Sequence, residues 1–261
     1  MLAAGTAIAA ALLCAAGERT TRWGEVRSVV RCETSRAVID FDPVGLDAAE
    51  RETFVRLADQ GIADLERLLS PSPAGSPGTG RPVRYVVSAR VGMSRTYGRT
   101  VLLPLRRVRD REAPYLHETV HALVPSPHAS TWLTEGIACY LESWLAENVG
   151  GYDAHVFTRA GDRGVHRAAR SYLATDLGRA VLPWVGVPGQ PPRLDEERAR
   201  VARPFYVLSH SFTKHLVEKL GLPAVVGLVR ERDPEGGLLR LSGRTALDWR
   251  AEWLVWSTLG P

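Results

Sequence analysis

Apolar and polar positions alternate in "EVRSVVRCET", Glu25 to Thr34, and again in "RAVIDFDP", from Arg36 to Asp42. Successive side chains of a strand leave opposite faces, so this alternation predicts two strands of a hairpin. The period then changes. Phe54, Leu57, Ile62, Leu65 and Leu69 recur at helical spacing and predict a helix over Leu46 to Leu69. "SPSPAGSPGTGRP", Ser70 to Pro82, is a loop by composition. "VRYVVSAR" and "RTVLLPL" read as strands. A helix starts between Asp110 and Pro114, runs to about Leu123 and is broken by "PSPHAS"; the next runs from about Thr131 to Asn148. "RGVHRAARSYLATDLGRAV" is helical, and "VGVPGQPPRLDEERARVARP" is a Pro- and Gly-rich connection with a charged middle. A helix from about Pro204 to Leu220 ends at Gly221 and Pro223, and "LPAVVGLVRER" and "ALDWRAEWLVWSTL" are the last two helices. Strands come first and helices follow, which predicts an α+β fold with an N-terminal mixed sheet and a helical C-terminal part.

Composition sets the outer limits. The chain has 261 residues, 45% hydrophobic and 24% charged, enough for a core without staples. The net charge is +4, and the densest basic run, "RRVRDR" from Arg106 to Arg111, has no interleaved aromatics. It reads as a solvated face, and nucleic acid is not an expected partner. Residues 2 to 16 carry no charge and are rich in Ala and Leu. They are too short to span a bilayer comfortably and suit a signal-peptide h-region, with small residues at Ala15 and Gly17 marking cleavage before Glu18. Residues 1–17 are thus a candidate signal peptide and 18–261 a single domain, with an extracytoplasmic or secreted destination and no transmembrane span beyond that segment. Loss of the segment leaves Cys32 and Cys139, one disulfide at most; Cys139 lies in an apolar helix and reads as a small buried residue.

The chemistry is concentrated in "HETVHALVPSPHASTWLTEGIACYLE", His117 to Glu142. His117 and His121 sit one helical turn apart, leave the same face and can bind one metal. Glu118 follows the first histidine, where its carboxylate can take a proton from a metal-activated water. The string alone decides little, since composition yields an HExxH by chance in about one chain of this size in a hundred. Ala113, Leu116, Val120 and Leu123 add the apolar stripe that a buried motif helix needs. The third ligand decides the case. A closely spaced third histidine is excluded, because Pro127 stands six residues after His121 and His128 misses by one. Glu135, early in the next helix, and Glu142, two turns further, remain.

Trp132, Leu133, Glu135, Gly136, Ala138 and Tyr140 form a W-L-x-E-G-x-A-x-Y string. Together with the HExxH it resembles the gluzincin zinc metallopeptidases, and among them the peptidase MA-like proteins. The likeness covers about residues 82–229 and continues in "FYVLSHSFTKHLVEKLG", through Tyr206, Ser209, Ser211, Phe212, Leu216 and Gly221. It implies a zincin-like fold, Zn2+ held by His117, His121 and Glu135, and a peptide or protein substrate. It also implies an oxyanion donor at Tyr206; His210, four residues later on the same helical face, is the alternative. Gly136 is expected to let the motif helix approach closely. Cys139 departs from the family, where a polar or acidic residue is more usual. Thr213 and His215 read as surface residues of their helix, and His155 and His166 as surface or packing residues. "RTVLLPL" is expected to be the sheet edge that binds substrate backbone. No G-x-M-E-N type string for gripping a free amino terminus is present. The rival reading is an inactive zincin-fold binding module of the cell envelope.

Overall fold

The computed structural model describes residues 13–20, 26–70, 81–152, 161–189, 191 and 198–259. The alternating segments form β2 (Val26–Glu33) and β3 (Ala37–Phe41), paired antiparallel. A preceding strand, β1 (Leu13–Thr20), pairs with β2. β4 (Val83–Ser88) and β6 (Thr100–Pro104) run parallel to β3, and the short β5 (Arg95–Tyr97) folds back antiparallel on β6. The result is a six-stranded mixed sheet in the order β1-β2-β3-β4-β6-β5.

One face of this sheet is dry because its alternate positions are large and apolar. Ile39, Phe41, Tyr85, Val87, Val101 and Leu103 are all fully buried. The helix α1 (Ala48–Leu69) packs on this face and links β3 to β4. Asp47 and Glu50 start it with reciprocal side chain to backbone hydrogen bonds of 2.8 and 2.7 Å. Phe54 of α1 is the hub of the interface. Its ring meets Phe41, Tyr85 and Tyr115 edge-on at 6.0, 5.9 and 5.6 Å. Tyr115 opens α3 (Tyr115–Leu123), which follows the short α2 (Leu105–Arg109). The opposite face of β3 carries the buried Asp40, which is paired with Arg31 at 2.8 Å and Arg84 at 2.7 Å.

The second half is helical: α4 (Thr131–Asn148), α5 (Gly161–Leu173), α6 (Asp176–Val181), α7 (Arg198–Leu220), α8 (Leu222–Arg230), α9 (Pro234–Ser242) and α10 (Ala246–Leu259). The α+β arrangement therefore matches the expectation from the sequence. None of the described helices is long and apolar enough to cross a membrane.

Several local readings are corrected. β6 is an interior strand, so the sheet edge beside the motif helix is β5, too short and polar to register in the alternation. α7 begins at Arg198, with Pro204 inside it. Proline removes only one backbone donor, and the burial of Phe205, Leu208, Phe212 and Leu216 carries the helix through. α9 was hidden by Gly236 and Gly237; Asp233 caps it through the Gly236 N–H at 2.9 Å, with Pro234 at its first position. Thr213 and His215 are buried, because α7 is enclosed on several sides. Cys32 is bonded to Cys14, directly opposite it on β1, and Cys139 is a free, buried thiol. Residues 1–12 of the candidate leader and His155 lie outside the described residues, and the expected cleavage point before Glu18 falls within β1.

α4 and α7 come together at Gly136. A Cβ there would lie 2.1 Å from Thr213 Oγ1 and 2.7 Å from the Ser209 carbonyl oxygen. The glycine thus admits α7, not the motif helix. Gly136→Ala is expected to destabilise the fold by about 1–3 kcal/mol through overpacking, more than the roughly 1 kcal/mol of helix propensity it gains. Urea denaturation midpoints measure this, and an alanine variant as stable as wild type would mean that α7 can withdraw without cost.

Candidate metal centre

The site begins with how α3 is held. Thr119 Oγ1 donates to the Tyr115 carbonyl one turn back at 2.5 Å. It therefore accepts from the Tyr85 hydroxyl, 2.6 Å away on β4. Leu116 and Val120 fill the apolar stripe and are fully buried, while His117, Glu118 and His121 line a cleft. His117 and His121 have their Nε2 atoms 3.1 Å apart.

α4 brings the third donor. After the proline-interrupted turn, Ser130 Oγ and Trp132 Nε1 donate to the same oxygen of Glu235 on α9, at 2.6 and 3.1 Å. Trp132 also packs on Phe212 of α7, with ring centroids 5.1 Å apart. With its first turn so fixed, α4 places Glu135 Oε2 at 3.0 Å from His117 Nε2 and 3.5 Å from His121 Nε2. Two ligand atoms on a tetrahedral zinc stand about 3.3 Å apart, given bonds near 2.0–2.1 Å. The separations of 3.1, 3.0 and 3.5 Å match that edge. Two imidazoles and one carboxylate are also the donor set of a catalytic zinc that keeps a position open. The residues present therefore fit zinc. Glu142, two turns along α4, is buried and stands outside this group.

The surroundings hold the donors in usable states. Burial alone would raise the Glu135 carboxyl, but His121 and His117 outweigh it and hold it well below the usual carboxylate range. With Nε2 facing the other donors, His117 turns Nδ1 toward Cys139 Sγ at 3.7 Å. Burial pushes that thiol up to about 11, so it stays protonated at neutral pH and is a neutral partner for the ring. Cys139 thus touches the His117 ring through sulfur.

Glu118 is buried, lines the cleft beside the histidines, and has Oε2 2.7 Å from Thr96 Oγ1. The cleft has a volume of about 820 Å³ and is walled by β5, the start of α4 and residues of α7. Tyr206 lines it, with its ring centroid 5.9 Å from that of His117. Burial, and then the charge of Glu135, push its phenol well above the usual range. His210, one turn on, is buried with its ring against Tyr140 at 6.3 Å and is not part of the cleft wall. His166 packs on Trp256 and bonds to Ser211 at 2.8 Å. Sequence reading missed Thr96 and Glu235. Neither carries a motif, and both are defined only by tertiary contact.

No known protein family matches the sequence, and no curated protein does. A solved structure with some likeness is an M1 zinc metallopeptidase from Deinococcus radiodurans, a mutant bound to a Tyr-Ser-Ala substrate. It is 18% identical with a TM-score of 0.49, over 96% of this chain and 53% of that one. The chain spans about half the length of that protein.

Purified protein is expected to bind about one zinc per chain. His117→Ala, His121→Ala and Glu135→Ala should each lose most of it, while Glu142→Ala retains it. Metal analysis after gel filtration reads the outcome; equal loss in the two glutamate variants would place the third ligand on the wrong turn of α4.

Proposed function

We propose that the chain is a zinc-dependent metallopeptidase of gluzincin type with a zincin-like fold. The observation that carries the reading is the convergence of His117, His121 and Glu135 at tetrahedral spacing, with a separate carboxylate, Glu118, facing the same cleft. A structural zinc site would have four protein ligands and no such carboxylate beside it.

Zinc held by the three side chains supplies Lewis acidity and lowers the pKa of water at the site. The remaining work falls to the protein. Glu118 takes a proton from the attacking water as its oxygen bonds to the peptide carbonyl carbon, and delivers that proton to the amide nitrogen as the C–N bond breaks. Tyr206 remains a protonated phenol and donates to the carbonyl oxygen as it gains charge. Its place on the cleft wall favours it over His210 for this role. The open edge of β5 offers backbone groups for an extended peptide, taking the role expected of "RTVLLPL".

Operation outside the cytoplasm is part of the proposal, and the Cys14–Cys32 bond, a pairing typical of oxidising compartments, supports it. Cleavage before Glu18 would remove Cys14, so an exported form that keeps this bond is processed upstream of Cys14 or not at all.

Glu118→Gln should keep its zinc and its fold, lose at least about a hundredfold in kcat and change little in KM, because the amide cannot accept the proton. Peptide-library cleavage measures this. An active Glu118→Gln variant would remove the mechanism, and a zinc-loaded wild type inactive on every peptide would favour a zincin-fold binding module instead.

Tyr206→Phe is expected to lower kcat about a hundredfold, the scale of one oxyanion donor, with His210→Gln near wild type. The reverse order in the same assay would assign the donor to His210.

A further inference from the structure

Glu118 differs from the metal ligands in having no ion to fix it. A general base must present one oxygen to the water in a set direction, and a glutamate with three rotatable bonds does not do this unaided. Its nearest polar neighbour lies on another element. Thr96, at the centre of β5, places Oγ1 2.7 Å from Glu118 Oε2 and 2.9 Å from the Glu118 carbonyl oxygen.

The sheet register accounts for this contact. Tyr85, Val101 and Thr96 are consecutive partners across β4, β6 and β5, so their side chains leave the same face. On that face Tyr85 grips Thr119 and Thr96 reaches Glu118, so one row of the sheet holds two successive residues of the motif helix. A two-residue turn at Gly98 and Arg99, with Gly98 at a φ of 55°, sets the β5–β6 pairing. A slip of one residue would turn Thr96 to the opposite face. Arg95 and Tyr97 leave that opposite face and bond to each other at 3.1 Å.

We propose that Thr96 is a positioning residue for the general base: its hydroxyl donates to Glu118 Oε2 and leaves Oε1 for the attacking water. The proposal rests on the peptidase reading for its catalytic consequence. The shorter of the two contacts is to the carboxylate, as expected where the acceptor is charged. The second acceptor matters as well. When Glu118 holds a proton, the Thr96 hydroxyl can turn to the carbonyl oxygen, so uptake and release of the proton never leave the donor without a partner. The edge strand that walls the cleft thus also aligns the base.

The test uses the zinc-loaded full chain with Thr96→Val, which keeps shape and removes the donor, and Thr96→Ser, which keeps the donor. Thr96→Val should lower kcat about ten- to a hundredfold, the scale of a hydrogen bond to a charged group, with zinc content and KM unchanged. Thr96→Ser should recover most of the loss. In a Glu118→Gln background the valine should add no more than about twofold, because the oriented group is already gone. Equal losses in both backgrounds, a serine variant as impaired as the valine, or a change in KM alone would overturn the assignment. Thermal melting of the metal-free variants reads the contact without activity. The Thr96→Val and Glu118→Ala shifts should be non-additive, because alanine removes the acceptor, and additive shifts would overturn the contact. Non-additive melting with an inactive wild type would instead keep the contact, remove its catalytic role, and count against the peptidase reading.

Discussion

Two imidazoles on one helix define only a line between two donors; a third donor must arrive from elsewhere within about 3.5 Å of both to close a metal site. That constraint organises the molecule. α4 has to double back beside α3 at a fixed height, across a non-helical turn that contains Pro125 and Pro127. The height is set by a contact remote in sequence. Ser130 and Trp132 share one oxygen of Glu235, more than a hundred residues on, and Trp132 is wedged against Phe212. α7 can supply Phe212 only because Gly136 lets it lie against α4. The spacing of the three donors is therefore a consequence of helix packing in the C-terminal half, while the orientation of the two imidazoles is a consequence of the sheet.

The sheet contributes through polar contacts within an apolar face. Tyr85 is the only hydroxyl-bearing member of the fully buried row of Ile39, Tyr85 and Val101, and its hydroxyl finds Thr119. A buried hydroxyl without a partner costs on the order of 1–3 kcal/mol, so α3 can rotate little about its own axis without exposing that cost. Rotation would also carry His117 away from Glu135. Fold stability and donor alignment are thereby coupled at one hydrogen bond.

Much of this was legible in the sequence. The HExxH spacing placed two donors on one face, and the boundaries of α4 followed from the proline-rich break before it and the apolar spacing within it. The alternation located β2, β3, β4 and β6, because each buries a row of side chains. What escaped had no periodic signal. β5 has three residues, and Thr96 matters through the strand pairing that aims it. Glu235 sits beside two glycines that weaken any helical reading. The pairing of Cys14 with Cys32 needed β1, which composition alone presents as a leader. Tyr206 and His210 are one turn apart in sequence; Tyr206 lines the cleft, while His210 packs on Tyr140 outside its wall.

Cys139 places a thiol beside the second ring nitrogen of His117. A ring that binds metal through Nε2 is steered by whatever accepts from Nδ1, and a carboxylate in that role makes the ring a stronger donor. A protonated thiol at 3.7 Å is a weak acceptor. It still occupies the volume and excludes water, so the ring stays aimed, while the electronic push is lost. Alignment of His117 must then come from packing: the helix axis fixed by Tyr85 and Thr119, the neighbouring imidazole of His121, and the Tyr206 ring tilted at 42° on its flank. The aim of His117 is in this sense held more by shape than by charge, which is why the donor cluster depends on helix contacts as distant as Gly136 and Glu235.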